Sequence, residues 1–110
     1  MAKGMKITVL GGGNGAFITA ADLSLKGHRV TLGELPPLRK NVEGAMRDST
    51  IELQVVGDPG LLPGIAHLER VTTDMKDALS GAEVVLMVLP AFAQKPFAEA
   101  CVPYLEDGQI

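Results

Sequence analysis

Residues 11–34 place the tightest limit on what this chain can become. Gly11-Gly12-Gly13-Asn14-Gly15-Ala16 follow directly on an apolar run, Ile7-Thr8-Val9-Leu10, and lead into a helix-like stretch from Ala16 to Lys26. After Gly27 a second strand-like run, Arg29-Val30-Thr31-Leu32, ends two residues before Glu34. Strand, glycine turn, helix, strand and an acid about 20 residues on is the pattern of a βαβ unit that grips a dinucleotide. A glycine-rich hexamer alone recurs in many loops, so the flanking elements carry the argument.

The chemistry assigns each position a part. Gly11 lets the chain turn off the first strand where a Cβ is penalised, and Gly12 and Gly13 keep the loop bare, Gly13 leaving room for a pyrophosphate. Ala16 stands where a third glycine is usual, and its small side chain still lets the helix pack closely on a sheet. The N–H groups of Asn14, Gly15 and Ala16 open the helix, so donors and dipole favour an anion there. Glu34 is expected at the tip of the second strand, accepting hydrogen bonds from both ribose hydroxyls. Such a carboxylate favours NAD over NADP, whose 2′-phosphate would meet a like charge. Arg39 and Lys40 work against that preference, since either could swing a cation towards the phosphate. The plain alternative is a tight turn between strand and helix that binds nothing.

A chain of 110 residues has room for one domain with a proper core. Hydrophobic residues at 46% and charged residues at 21% mark it as globular rather than disordered. A net charge of −3 with scattered Lys and Arg argues against a nucleic-acid or membrane surface. Cys101 is the single cysteine, which excludes a disulfide framework and points to a reducing cytoplasm. No stretch approaches the ~20 apolar residues of a spanning helix. Met1 to Gly4 read equally as native residues or as an extension before Met5.

Periodicity predicts strand one at 5–10, a helix over 14–26 closed by Gly27, and strand two at 29–33. Pro36-Pro37 suit the first turn of a helix over 36–47. Ile51, Leu53 and Val55 alternate with Glu52 and Gln54 as in a half-exposed strand. A turn follows at Gly57-Asp58-Pro59-Gly60, prolonged through Gly64, and then an extended segment over 65–72, best defined at 68–72. Thr73 or Asp74 caps a brief helix to Leu79, stopped by Gly81. Residues 83–89, the most hydrophobic stretch, read as a strand buried on both faces of a parallel sheet. A helix over 91–106, irregular at Pro96, then leads to Gln109-Ile110, which looks like the start of another strand. The expected fold is therefore α/β, a Rossmann-type doubly wound, mainly parallel sheet. Residues 1–110 are expected to be one dinucleotide-binding domain, cut short before its last strands and completed in a longer protein by a second domain.

With these segments placed, the chain resembles the N-terminal domain of the opine (octopine-like) dehydrogenases. Lys6 to Gly15, including Asn14 inside the glycine loop, looks like that family's opening, and Ala21 to Leu32 continues it. Val71-Thr72-Thr73-Asp74 and Gly81 to Leu86 resemble its third strand, short helix and fourth strand. Val88-Leu89-Pro90-Ala91-Phe92-Ala93 looks like its loop over the cofactor, which adds Leu89, Pro90, Ala91 and Phe92 to the candidate site. The likeness covers nearly the whole chain. Ketopantoate reductase and glycerol-3-phosphate dehydrogenase share much of it, so an enzyme of either kind is the alternative.

The resemblance implies NAD(P)H-dependent reductive condensation of an amino acid with a 2-oxo acid such as pyruvate, an imine being reduced to a secondary amine. It also implies a catalytic histidine–aspartate pair in a helical domain beyond Ile110, so no catalytic residue carries over to this chain. Some relatives have histidine near Ala93-Gln94; this chain has none there. Two other readings stay open. A flavoprotein would continue with a second glycine-rich segment after the acid, where this chain has Leu35-Pro36-Pro37-Leu38-Arg39. A non-catalytic nucleotide-sensing module would bind without reacting. Elsewhere the simplest readings hold: His28 and His67 as solvated or locally bonded, Asp22 as a solvated charge, and Met46, Met75 and Met87 as packing residues. Asp58, Asp74 and Asp77 have no Cys or His at ligand spacing, so no metal site is expected.

Overall fold

The computed structural model describes residues 4–53 and 64–110. Four strands form one parallel sheet: β1 (Lys6–Leu10), β2 (Arg29–Gly33), β5 (Arg70–Thr72) and β6 (Val84–Met87). Their order across the sheet is β5-β2-β1-β6. The chain thus winds from β1 outward through β2 to β5, then crosses back to pair β6 on the other side of β1. That reversal makes the carboxyl ends of β1 and β6 a topological switch point, the place where open α/β sheets hold ligands.

Alternation along the strands feeds two cores. Ile7 and Val9 of β1 and Val30 and Leu32 of β2 face α1 (Asn14–Leu25), burying Ala16 and Ala20 with Val42, Leu68 and Val71. Leu10 faces the other way, against Met75, Ala78 and Leu79 of α3 (Met75–Leu79) and Phe97 and Cys101 of α4 (Ala91–Cys101). The buried Thr8 hydroxyl donates to the Ala78 carbonyl at 2.5 Å and ties α3 to that face. Alanines on the inner side of α1 let its axis lie close to the sheet. Its end is a Schellman motif: Gly27 (φ +99) donates to Ser24 O and His28 to Leu23 O. Asp74 caps α3, its carboxylate accepting from the N–H groups of Lys76 and Asp77.

Several segments depart from the sequence-based expectation, each for a local reason. The helix expected over 36–47 is broken in two, a 3₁₀ helix (Pro36–Asn41) and a short α2 (Glu43–Met46), because Val42 turns inward to become fully buried. The strand at 51 does not join the main sheet. It is β3 (Thr50–Leu53), paired antiparallel with β4 (Gly64–His67) in register Thr50↔His67 to Leu53↔Gly64. β5 already occupies the edge of β2, and Ala66 and Ile51 find cover against Ala21 and Leu25 of α1 instead. The segment expected to run over 65–72 divides at Leu68-Glu69: Leu68 N–H still bonds Ser49 O, whereas Glu69 N–H bonds Val30 O. Gln54, Val55 and the expected turn through Pro63 lie outside the described residues.

β6 is shorter than the hydrophobic run over 83–89, and it is not buried on both faces. Val84, Val85 and Leu86 are half-buried and Met87 is exposed, because β6 forms an edge of the described sheet. Ile110 pairs there in the parallel sense, accepting from Val85 N–H at 2.8 Å and donating to Glu83 O at 3.1 Å, as expected of a strand beginning at 109–110. The last helix stops at Cys101 and tightens into a 3₁₀ turn (Val102–Tyr104) rather than reaching 106, since Pro103 has no N–H to donate.

Candidate functional site

Register builds the site. Leu10 stands opposite both Gly33 and Met87, so β1, β2 and β6 end level with one another. The next residue of each strand, Gly11, Glu34 and Val88, therefore emerges side by side. Gly11 N–H donates to Gly33 O at 2.9 Å, and Val88 N–H donates to Leu10 O at 3.0 Å. Glu34 N–H is held by Thr72 O at 3.0 Å. Above these ends opens a cleft of about 690 Å³, lined by Gly11 to Gly15, Glu34, Leu38, Asn41, Val88 to Pro90 and one side of α4. That volume lies within the ordinary range for small-molecule sites.

The glycine loop forms the floor. Gly11 adopts φ +140, and a Cβ there would lie 2.5 Å from the Val88 carbonyl oxygen. At Gly12 a Cβ would lie 2.1 Å from Glu34 Oε2, so only a bare backbone lets the loop pass over that carboxylate. Gly13 differs: a Cβ added there would meet nothing within 4 Å and would project into open space. The first hydrogen bond of α1 is donated by Phe17 to Gly13 O at 3.1 Å, which leaves the Asn14, Gly15 and Ala16 N–H groups as the helix's opening donors. No acidic side chain lies in that first turn to offset the positive end of the helix dipole.

Glu34 is only 2% exposed. Its Oε1 accepts from Leu35 N–H at 2.9 Å and its Oε2 from the Asn41 amide at 3.1 Å. Arg39 is turned away, 3.8 Å from Glu43 on the outer side of the 3₁₀ helix, and neither Arg39 nor Lys40 lines the cleft. The rim opposite Glu34 is apolar. Leu89, Pro90 and Phe92 line it, with Phe92 85% exposed at the mouth.

Two predicted site residues stand apart from the lining. Ala16 is fully buried beneath Gly11, where its methyl fills the helix–sheet gap, and Ala91 faces solvent at the start of α4. Three lining residues escaped the sequence reading, Leu38, Asn41 and Phe97, and two more, Val88 and Ala93, lay in the loop read over the cofactor without being named as candidates. Ala93 and Phe97 are one helical turn apart, a signal that was available. Leu38 and Asn41 are three apart, but Leu38 (φ −106, ψ 18) sits at a kink inside the 36–41 segment, so no helical period in the sequence pairs them.

Other titratable groups lie elsewhere. His28 sits at the amino end of the sheet, away from the cleft, and its Nδ1 accepts from Met5 N–H at 3.0 Å. His67 is exposed on β4. Asp22 is not simply solvated: one oxygen pairs with Lys26 at 3.0 Å and Oδ1 is enclosed without a partner. Burial pushes the Cys101 thiol up, so it behaves as a small apolar residue. No helix among the described residues is long and apolar enough to cross a membrane.

The donors of α1, the open space at Gly13 and the carboxylate beyond them fit a dinucleotide laid across the strand ends. Comparisons with known proteins agree with that geometry. No protein-family model matches the chain. An opine dehydrogenase of Arthrobacter sp. (strain 1C) is 33% identical over all of it, and the chain spans 29% of that protein. A glycerol-3-phosphate dehydrogenase [NAD(P)+] of Nitratidesulfovibrio vulgaris (strain DP4) is 35% identical over 96% of the chain, which spans 30% of that enzyme. A solved octopine dehydrogenase with NADH and L-arginine superposes with a TM-score of 0.77 at 26% identity, covering 96% of this chain and 27% of its own. The chain therefore spans less than a third of the relatives it matches, and along that span it is similar to opine dehydrogenases and shares their Rossmann-type α/β fold.

Proposed function

We propose that this chain is the cofactor-binding part of an NAD(H)-dependent oxidoreductase of the opine dehydrogenase type, which condenses an amino acid with a 2-oxo acid and reduces the product. The observation that carries the reading is the cleft itself. Three level strand ends, an uncapped helix N-terminus and a buried carboxylate meet in one place, with no competing charge among the described residues that line it. In this reading Gly11 to Ala16 hold the pyrophosphate through backbone donors and Glu34 takes the adenosine ribose hydroxyls. Leu89, Pro90 and Phe92 cover the apolar side. The cofactor, when bound, supplies the hydride; this chain's residues orient it and keep water from its apolar face.

Similarity to a protein solved with NADH and L-arginine supports an amino-acid substrate. The groups that bind amino acid and oxo acid are placed in a second, helical domain, in keeping with the small share of each relative that this chain spans. A cytoplasmic setting accords with the lone, buried Cys101. The 35% identity to glycerol-3-phosphate dehydrogenase favours a second reading, oxidation of a phosphorylated alcohol at the same cofactor cleft.

The 110-residue protein is expected to bind NADH without consuming it when L-arginine and pyruvate are both present, followed at 340 nm. Turnover above contaminant levels would overturn the placement of the catalytic groups. Calorimetry with NADH and NADPH tests cofactor choice. NADH should bind more tightly, and Glu34→Gln should narrow the gap several-fold, because it removes the negative charge while keeping the shape. Tighter binding of NADPH by the wild type would remove Glu34 from the ribose site.

A further inference from the structure

Asn41 stands at the end of the 3₁₀ helix, where nothing in the glycine pattern asks for an amide. Its neighbour Val42 is fully buried among Val30 and Leu32, which fixes where the end of that helix lies. The Asn41 side chain is thereby brought to Glu34 Oε2 at 3.1 Å, and a Cβ on Gly12 would lie 2.7 Å from Asn41 Cβ. Loop, carboxylate and amide therefore form one packed contact at the edge of the cleft.

Building on the dinucleotide reading of the cleft, we propose that Asn41 is the positioning residue for cofactor selectivity. Its amide fixes the Glu34 carboxylate so that a ribose diol is accepted and a 2′-phosphate refused. Two features of the carboxylate support this. An ionised carboxylate offers about four acceptor positions. Among the described residues Glu34 uses one on each oxygen, for Leu35 N–H and the Asn41 amide, and retains one on each. Two remaining acceptors match the two donors of a vicinal diol. The second feature is charge. Both partners of Glu34 are uncharged, and the nearest cation along the helix, Arg39, is directed to Glu43. The amide thus holds the carboxylate in place without cancelling its charge, and an uncancelled charge is what repels a 2′-phosphate. A Lys or Arg at position 41 would hold it equally well and lose that repulsion.

The test is the pair of dissociation constants for NADH and NADPH, read by calorimetry on the wild-type protein, Asn41→Ala and Asn41→Asp. Without the amide, only Leu35 N–H still holds the Glu34 carboxylate, which can then tilt away from the diol position. The Kd for NADH should rise about 3- to 10-fold in both variants, about the worth of one ordinary hydrogen bond. For NADPH, Asn41→Ala should change Kd by less than about twofold, so selectivity falls by nearly the whole loss in NADH affinity. Asn41 is exposed, so the melting temperature should hold for Asn41→Ala, and a purely structural role would move melting rather than the ratio. A wild type that prefers NADH beside an Asn41→Ala protein with the same ratio overturns the role of Asn41 and leaves the cofactor site standing. A wild type that binds neither nucleotide overturns both.

Discussion

Gly13→Val is expected to lower NADH affinity at least ~10-fold, about 1.4 kcal/mol, in a protein that still folds. The separation of binding from folding follows from two local facts. Gly13 has φ −92 and ψ −178, extended backbone that valine adopts readily. A Cβ there meets nothing within 4 Å, so no protein atom has to move. The added methyls would occupy the space in front of the Asn14, Gly15 and Ala16 donors, where the reading of the cleft puts the pyrophosphate. Gly13 is also the N-cap of α1, and valine is a poorer cap than glycine, so a stability loss of about 1 kcal/mol or less is expected. Calorimetry on the purified variant, with its melting curve alongside, decides the matter. Unchanged affinity in a folded Gly13→Val protein would remove the glycine loop from the site.

What the sequence made legible was whatever depends on neighbours along the chain. The strand–glycine–helix–strand–acid order survives intact in β1, α1, β2 and Glu34, because capping, turn and alternation rules act over a few residues. The third and fourth strands of the sheet were placed, though the run ending at Thr72 proved to contain two strands. The antiparallel pairing of β3 with β4 and their seat on α1 were not legible. Ile51 alternates with Glu52 whichever surface covers it, and only the occupied edge of β2 decides which surface that is. The broken helix at 36–47 has the same origin. Val42 is buried by a core that lies distant in sequence, and its inward turn determines where Asn41 ends up. Glu34 could be nominated from its distance to the glycines. Its two partners, and the reversal of Arg39 towards Glu43, are tertiary facts. They also weaken the case for Arg39 as a phosphate reader.

Gly11→Ala should do the opposite of Gly13→Val and destabilise the fold itself. At φ +140 a side chain is strained whatever the space around it, at a cost of about 1–3 kcal/mol. Space is lacking as well. The new methyl would lie 2.5 Å from the Val88 carbonyl oxygen and 3.1 Å from the Ala16 methyl. Neither neighbour can yield cheaply. Val88 is held by its own N–H bond to Leu10 O, the last rung between β1 and β6, and Ala16 is fully buried against the sheet. Forced contacts of this kind add about 1–3 kcal/mol, for an expected loss of about 2–6 kcal/mol in all. A domain of this size has only about 5–15 kcal/mol of stability, so melting should fall by roughly 10 °C or more. Gly13→Ala is the matched control, one methyl added to the same loop where there is room, and its melting temperature should fall by only the few degrees that losing a glycine N-cap costs. A Gly11→Ala protein that melts within about 2 °C of wild type would mean that β1 and β6 can part at their carboxyl ends. The level strand ends on which the whole cleft is built would then not be fixed by this residue.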